Sequence, residues 1–203
     1  MQKEKWYDVL TLEHEILQRA MDVFKRELNK VINNNHRTSV LYCIIDFLIT
    51  YGSEIHNRKE DEILFPELMR HKQLDQHQIH ITSMEHATGR DILLSMFDEI
   101  GELEKRTPTY RKVYKQKGTD YLKYRFDHIW KENDIIFNIG QGVISTEQNQ
   151  KFLAEFLIID QSIQDGEYVK KAISLLEEME LGRCPEYKKR MMTLALKESD
   201  SHK

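Results

Sequence analysis

Four of the nine histidines fall into two pairs with the same internal spacing. His14 and His56 are 42 residues apart, and so are His86 and His128. Each later histidine is followed four residues on by a glutamate, Glu60 or Glu132. The first histidine, the second histidine and the glutamate therefore each recur after 72 residues. The flanking sequences match as well, LEHE with MEHA and HNRKEDEILF with HIWKENDIIF. One His-x-x-x-Glu match is expected by chance, but a shared offset at three positions indicates an internal repeat.

The chain around these histidines has a helical pattern. Eight Gly and three Pro in 203 residues leave few turns, which favours an all-α fold. Apolar residues recur at three- and four-residue steps and predict four helices. The first two run from residue 8 or 11 to the asparagines at 33–35, and from a cap at Thr38 or Ser39 to Pro66, which ends or kinks the helix. The other two run from a capping box at Asp75 and Gln78 to Lys105, and from the cap Thr107-Pro108 to C-cap glycines at 140 and 142. Further helices are predicted from Ser145, with a short last one over 184–197.

The spacing of the histidines also predicts how the helices are arranged. When two antiparallel helices bring two residues level, the turn lies midway between them, because both helices rise equally per residue. The midpoints are residue 35 for the first pair, 107 for the second, and 73 between Glu60 and His86, and each falls in a predicted turn. We therefore predict an antiparallel up-down-up-down four-helix bundle over residues 1–142. Residues 143–203 are predicted to be a C-terminal helical extension of undefined role.

The level residues carry side chains that bind metals. A histidine and a glutamate four residues apart share one face of a helix, and their neighbours on that face are apolar. Buried carboxylates and imidazoles are costly without a partner, and a cation such as Fe, Mn or Zn provides one. Two bridging carboxylates with two histidines per ion are the components of a dinuclear iron site. The predicted ligands are His14, His56, Glu60, His86, His128 and Glu132.

An alternative explanation needs no metal. A single inward histidine is usually a hydrogen-bonded core residue, and an inward glutamate can pair with Arg90 or Arg125. That explanation serves for any one of the six residues, but the repeated, level arrangement of all six favours metal binding. A metal-free helical scaffold stays as the opposing hypothesis.

The order of these motifs resembles that of the hemerythrin-like family, in particular its bacterial and archaeal cation-binding branch. KEDEILFPEL, Lys59 to Leu68, is similar to the family's second-helix motif, and EHATGR, Glu85 to Arg90, to its third. The resemblance covers about residues 8–142. No histidine has a glutamate three residues before it, which argues against a ferritin-type site.

The resemblance implies a non-haem di-iron centre containing two Fe ions. It places His14 and His56 on one metal, the other two histidines on the second, and Glu60 and Glu132 as bridges. Oxygen-carrying members have a fifth histidine near the third-helix histidine and an aspartate in the fourth helix. Here Thr82 and Arg90 stand at the four-residue spacings and Glu132 replaces the aspartate, which argues against reversible oxygen carriage.

The two-glutamate pattern is similar to that of family members linked to nitric oxide and peroxide responses or to iron-sulfur cluster repair. The leading hypothesis is a di-iron protein that binds O2, NO or peroxide for sensing, detoxification or iron handling. The alternatives are an enzyme that turns over peroxide or NO, and an iron donor for cluster repair, so enzymatic activity is left open. A homo-oligomer or a protein partner bound through the C-terminal helices is a further hypothesis.

Composition and charge exclude other classes of partner. The net charge of −4 provides no positive field for nucleic acid or an anionic membrane. No run approaches the roughly 18 apolar residues of a membrane span, and the first residues lack the apolar core of a signal peptide. Cys43 and Cys184 are far apart in sequence and are interpreted as buried or idle thiols of a reducing cytosol. We therefore predict a cytoplasmic protein.

Several further residues are weaker candidates. His36 is a possible fifth ligand in the first turn, whereas His71, His77 and His80 are predicted to be surface residues. Tyr121 and Tyr124 are either hydrogen-bond donors next to the metals or core residues, and core packing is favoured. Gly52 and Gly89 either open space for a small ligand or allow close helix contact.

Overall fold

A computed structural model describes residues 4–71 and 76–184. All regular structure in these two segments is helical, which confirms the all-α prediction. The helices are α1 (Trp6–Val31), α2 (Thr38–Leu68), α3 (Gln76–Glu99, extended by the 3-10 helix Ile100–Lys105), α4 (residues 108–143), α5 (Thr146–Ser162) and α6 (Glu167–Glu180). The turns at 32–37 and 106–107 include two of the predicted midpoints, and the third lies outside the described residues.

Helices α2 and α4 contain wider, π-helical turns. They span Leu48–His56 and Glu60–Leu64 in α2, and Glu132–Ile136 in α4. The last two segments occupy equivalent positions of the internal repeat, and each begins at a predicted glutamate ligand. Single π turns inside α-helices frequently occur at functional sites. A regular 3.6-residue period could not predict them.

The helix starts confirm two of the predicted caps. The Thr107 hydroxyl accepts a hydrogen bond from the Tyr110 amide, and Ser145 forms a complete capping box with Gln148. The predicted cap at Thr38 or Ser39 is wrong, because α2 already begins at Thr38, whose hydroxyl donates to Glu104. The capping box predicted at Asp75 lies outside the described residues.

Two predicted helix ends are corrected. Pro66 is predicted to end or kink the second helix, and the end is wrong, because α2 continues through Pro66 to Leu68. Gly140 and Gly142 lie inside α4, which ends at Val143. A Cβ atom on Gly140 would lie 3.0 Å from the Trp6 ring, so this glycine allows close packing of α1 and α4 rather than capping a helix.

The predicted ligands lie between two apolar clusters. Helix α1 contacts α2 and α4, and α3 contacts both as well. One cluster, which includes Leu17, Phe24 and Tyr121, extends from the ligands toward the turns at 32–37 and 106–107. The other includes Trp6 and Phe137 and lies toward the opposite end. A polar layer between two apolar layers is shielded from water on both sides.

The C-terminal helices lie against α1 and α2. The Asn149 side chain of α5 accepts a hydrogen bond from the Trp6 amide at 2.8 Å and donates to the Glu4 carbonyl at 3.1 Å. Glu180 of α6 binds the Arg19 guanidinium at 2.9 and 3.0 Å. These contacts fix the extension on one side of the helical core. The helix predicted over 184–197 lies almost entirely outside the described residues.

The prediction for the cysteines is wrong. Cys43 of α2 and Cys184 form a disulfide, with a Cα–Cα distance of 6.3 Å. The sequence separation of 141 residues hides this contact, because the packing of α6 on α2 brings the segment after α6 back to Cys43. The cytoplasmic location rested partly on free thiols and stays a prediction.

Among the described residues, one helix is long and apolar enough to cross a membrane. It is Thr38–Leu68, and 56% of its most apolar stretch is buried inside the protein. The core helix of a soluble protein meets the same criteria of length and composition, so this is weak evidence. The absence of a membrane partner stays a prediction.

Candidate metal centre

The structure brings all six predicted ligands together in the buried polar layer. Each is at most 4% exposed. Their ligand atoms form two groups within which all atoms lie within 4.8 Å of one another. The first group contains His14, His56, Glu60 and Glu132, and the second contains His86, His128 and again Glu132.

The two glutamates connect the groups. One carboxylate oxygen of Glu132 lies 3.2 Å from His14 Nε2, and the other lies 2.8 Å from His128 Nε2 and 3.2 Å from His86 Nε2. Glu60 Oε2 lies 3.5 Å from His56 Nε2 and 3.4 Å from His86 Nε2. Each carboxylate therefore faces histidines from both halves of the repeat.

The outer nitrogen of every one of these histidines is hydrogen-bonded. The Nδ1–oxygen distances are 2.7–2.9 Å, for the pairs His14–Asn133, His56–Glu13, His86–Asp61 and His128–Glu85. An acceptor opposite Nδ1 keeps the proton on that nitrogen and leaves the Nε2 lone pair facing inward. In their neutral form all four imidazoles thus present Nε2 toward the two glutamates.

These outer partners follow the internal repeat but were missed in the sequence. A glutamate directly precedes the predicted ligand His14 of α1, and another precedes His86 of α3. A lysine follows His56 of α2 by three residues, and another follows His128 of α4. Each lysine binds the glutamate of its own half of the repeat. The equivalent pairs are Glu13 and Glu85, Asp61 and Asn133, and Lys59 and Lys131. The signal was present in the matching sequences LEHE and MEHA and in RKE and WKE.

Several of the inward ligand atoms have no hydrogen-bond partner in the described part of the chain. Among the buried side-chain atoms without a hydrogen bond are Nε2 of His14 and His56, both oxygens of Glu60 and one oxygen of Glu132. Nε2 of His86 and of His128 lie 3.0 Å apart. One cation between these two nitrogens, a proton on His86 in the metal-free chain or a metal ion, would satisfy both of them. The donor set of imidazole and carboxylate therefore fits a metal.

The comparison with protein families agrees with this geometry. The model of the hemerythrin HHE cation binding domain matches residues 6–139. The chain belongs to this family. The match spans α1 to α3 and most of α4, and it includes all six inward residues of the hemerythrin domain. No curated protein and no solved structure matches the chain.

Burial and like charge perturb the two glutamates of the hemerythrin domain. Burial, together with the charge of Glu132, raises the pKa of Glu60 to about 7. Burial opposes ionisation of Glu132 too, but the surrounding histidines outweigh it and hold its pKa well below the ordinary value. Without a metal, Glu60 is thus partly protonated near pH 7, whereas Glu132 is ionised. A bound metal would displace the proton from Glu60.

The pKa values of the four histidines are also shifted in opposite directions. Burial lowers the pKa of His56 and of His128, which favours the neutral form that binds metals. For His86, burial is outweighed by hydrogen bonds to Asp61 and Glu132, which raise its pKa well above the ordinary value. Glu132 likewise outweighs burial and raises the pKa of His14. The raised pKa values of His14 and His86 reflect the negative charge of the neighbouring carboxylates, which favours a cation in the site.

The arginine pairing of the alternative explanation is not observed. Arg90 binds Glu54 at 2.8 Å near the surface, and Arg125 donates to the Asn57 side chain at 3.4 Å. Neither guanidinium forms an ion pair with Glu60 or Glu132 within the described residues. Neither arginine therefore compensates the two inward carboxylates.

The weaker candidates lie outside both groups of ligand atoms. His36 is half-buried, and burial lowers its pKa, but it joins neither group. Tyr121 is buried in the apolar cluster and packs edge-on against Phe24, with ring centroids 6.2 Å apart, which fits the favoured core role. His71 lies 3.7 Å from Glu67, away from the metal centre.

Proposed function

We propose that the hemerythrin domain holds two Fe ions between its two groups of ligands. His14 and His56 would bind one ion, His86 and His128 the other, and Glu60 and Glu132 would bridge them. The proposal is carried by one observation: inward Nε2 and carboxylate atoms form two groups that share Glu132, and several of these buried atoms have no hydrogen-bond partner. Two metal ions that share the carboxylates would provide partners for the inward atoms of both groups.

The polar layer implies a particular helix arrangement, which is part of the proposal. Helices α1 to α4 would form an up-down-up-down four-helix bundle. The contacts of each helix with its sequence neighbours, the α1–α4 contact and the short turns at 32–37 and 106–107 support it. In this arrangement His and Glu side chains from all four helices meet at one level.

When bound, a di-iron centre with open coordination positions supplies the chemistry that binds O2, NO or peroxide. The protein's own residues prepare the centre. Glu13, Asp61, Glu85 and Asn133 orient the imidazoles through Nδ1, and the two apolar clusters exclude water. We propose sensing, detoxification or iron handling as the role of this binding.

Metal analysis of the purified full chain tests the proposal. We expect two irons per chain and, after oxidation, the visible absorption of an oxo-bridged pair that changes on addition of NO, O2 or peroxide. Glu132→Ala should abolish this absorption, because Glu132 contacts both groups. Glu62→Ala, at an exposed glutamate of α2, is the matched control and should leave it unchanged.

Three results would refute the proposal. They are fewer than two bound irons, no bridged absorption in the oxidised protein, or a Glu132→Ala variant with an unaltered spectrum. Loading with Mn or Zn in competition with Fe distinguishes a general cation site from an iron site, since imidazole and carboxylate ligands accept all three metals.

A further inference from the structure

A groove between α1 and α4 combines apolar walls with positive charge. It encloses about 730 Å³ including its open mouth, and no acidic side chain of the described residues lines it. Leu28 and Leu122, both buried, form part of its walls, and Phe126, which is 36% exposed, continues the apolar surface to the solvent. The groove also contains three lysines: Lys25 of α1 and Lys115 and Lys123 of α4. Exposed apolar surface bordered by charge is typical of an interaction site.

The charge of these lysines is uncompensated within the described part of the chain. None of the three side chains forms an ion pair or a hydrogen bond with a described residue. Lys117 of the same helix differs, because it contacts α3 and binds Glu99 at 3.0 Å. Lys115 and Lys123 are separated along α4 by about 12 Å, at 1.5 Å per residue. A partner that fills the groove therefore needs both an apolar surface and negative charge.

Helix α6 of the C-terminal extension presents a surface of this chemistry. Ile173, Glu177 and Leu181 follow one another at four-residue steps, so they share one side of the helix, and all three are exposed. The two apolar side chains are 48% and 64% exposed, and the carboxylate between them forms no ion pair with a described residue. The opposite side of α6, with Ala172 and Leu176, is buried against α1 and α2. An acid between two apolar residues on one exposed stripe matches a groove with apolar walls and unpaired lysines.

The groove and α6 lie on two neighbouring sides of α1. Arg26 of α1 donates to the Met179 carbonyl of α6 at 2.8 Å. Lys25, the preceding residue, lines the groove, so the two surfaces are at the same height along α1. Because α6 is fixed on α1 and α2, it does not reach the groove of its own chain. A two-fold axis beside α1 instead places α6 of each copy over the groove of the other.

We propose that two copies of this chain form a reciprocal dimer, in which the exposed stripe of α6 in each copy occupies the α1–α4 groove of the other. Ile173 and Leu181 would pack on the apolar walls, and Glu177 would pair with the groove lysines. The contact forms twice, so its area doubles toward the roughly 1,200–2,000 Å² that specific interfaces bury. Residues 185–203 are a poorer occupant, because their basic run KKR at 188–190 has the same charge as the groove.

The mass of the full chain in solution is the first test. Sedimentation velocity at micromolar concentrations should show particles of two chains, each of 24.3 kDa. The dissociation constant should rise with salt, because the pairs of Glu177 with the groove lysines are screened. Non-reducing gel electrophoresis distinguishes this dimer from one linked through Cys43 or Cys184. Iron-loaded and metal-free chains should dimerise alike, since neither surface includes a predicted metal ligand.

Charge reversal on the two surfaces tests whether they meet. Lys115→Glu with Lys123→Glu, and separately Glu177→Lys, should each weaken dimerisation by at least about 10-fold, because like charges then face each other. An equimolar mixture of the two variants should form a heterodimer of near wild-type affinity, since every groove then faces a stripe of opposite charge. Ile173→Ser should weaken dimerisation at low and at high salt, because it removes apolar contact.

A matched control and defined outcomes complete the experiment. Arg70→Glu with Lys105→Glu makes the same change of charge at exposed residues outside both surfaces and should leave the dimer intact. Circular dichroism and thermal melting verify that each variant is folded. A dimer that depends on both surfaces supports the proposal, even if the chain holds fewer than two irons. The proposal is overturned if the wild-type chain is monomeric, if its dimer is only disulfide-linked, if charge reversal on either surface leaves the dissociation constant unchanged, or if the two reversed variants do not associate when mixed.

Discussion

Replacing Lys59 with Met should destabilise the protein far more than the same change at Lys131. The two lysines are equivalent in the internal repeat, and each binds the glutamate that orients a predicted metal-binding histidine. Lys59 is fully buried, contacts Glu13 and lies 2.6 Å from Asp160 of α5, with its ammonium 5.6 Å from the Phe156 ring centre. Helix α5 thus covers this half of the repeat.

The magnitude follows from that burial. Removing Lys59 leaves the buried Glu13 carboxylate without its cationic partner, with only the hydrogen bond to His56 Nδ1 left. Breaking a buried ion pair in this way costs about 3–5 kcal/mol. The Lys131 side chain is 27% exposed and that of its partner Glu85 16%, so water compensates part of the loss, and we expect about 1 kcal/mol. For a chain of this size the difference corresponds to roughly 5–15 °C in melting temperature.

Urea denaturation and thermal melting of the metal-free variants provide the assay. Met matches the length of the lysine side chain, so that packing is changed little. Asp160→Asn tests the contribution of α5 alone and should fall between the two lysine variants. Equal losses for Lys59→Met and Lys131→Met, or a Lys59→Met variant as stable as the wild type, would refute this reasoning.

Three other perturbations have defined outcomes. In the metal-free protein the raised pKa of Glu60, about 7 against 4.5, gives the native state an extra proton, so this residue makes stability fall as pH rises from about 4.5 to 7. Glu60→Gln should remove about 3 kcal/mol of that loss in urea titrations at several pH values, and an unchanged pH slope would contradict the raised pKa. A bound metal stabilises the folded state by an amount that grows with the logarithm of the free metal concentration, so chelating the metal should lower the melting temperature. A metal-free scaffold would show no change on chelation. Gly118→Ala should destabilise the protein by about 1–3 kcal/mol, because its Cβ would lie 2.6 Å from a Leu28 methyl. Gly142→Ala, whose Cβ would have nothing within 4 Å, should be neutral or slightly stabilising in thermal melts. Equal effects of the two substitutions would contradict the packing.

The sequence predicted the elements whose causes are local. Apolar periodicity, the caps at Thr107 and Ser145 and the scarcity of Gly and Pro indicated the helices, because these preferences act within one or two turns. The repeat of His and Glu predicted which side chains would meet, since equal rise per residue converts sequence spacing into height. That inference located all six inward residues, although their binding of metal stays a proposal.

The tertiary structure decided what depends on contacts between distant segments. The pairing of Cys43 with Cys184 and the burial of Lys59 by α5 have no local sequence signal, because each results from packing of one helix on another. The π turns at both glutamates depart from the 3.6-residue period on which the helix prediction rests. The same holds for Arg125, which the sequence offered as a partner for an inward glutamate and the fold leaves without a carboxylate among the described residues. Spacing along the chain determines which groups are level, but only the packed helices determine which charges are compensated.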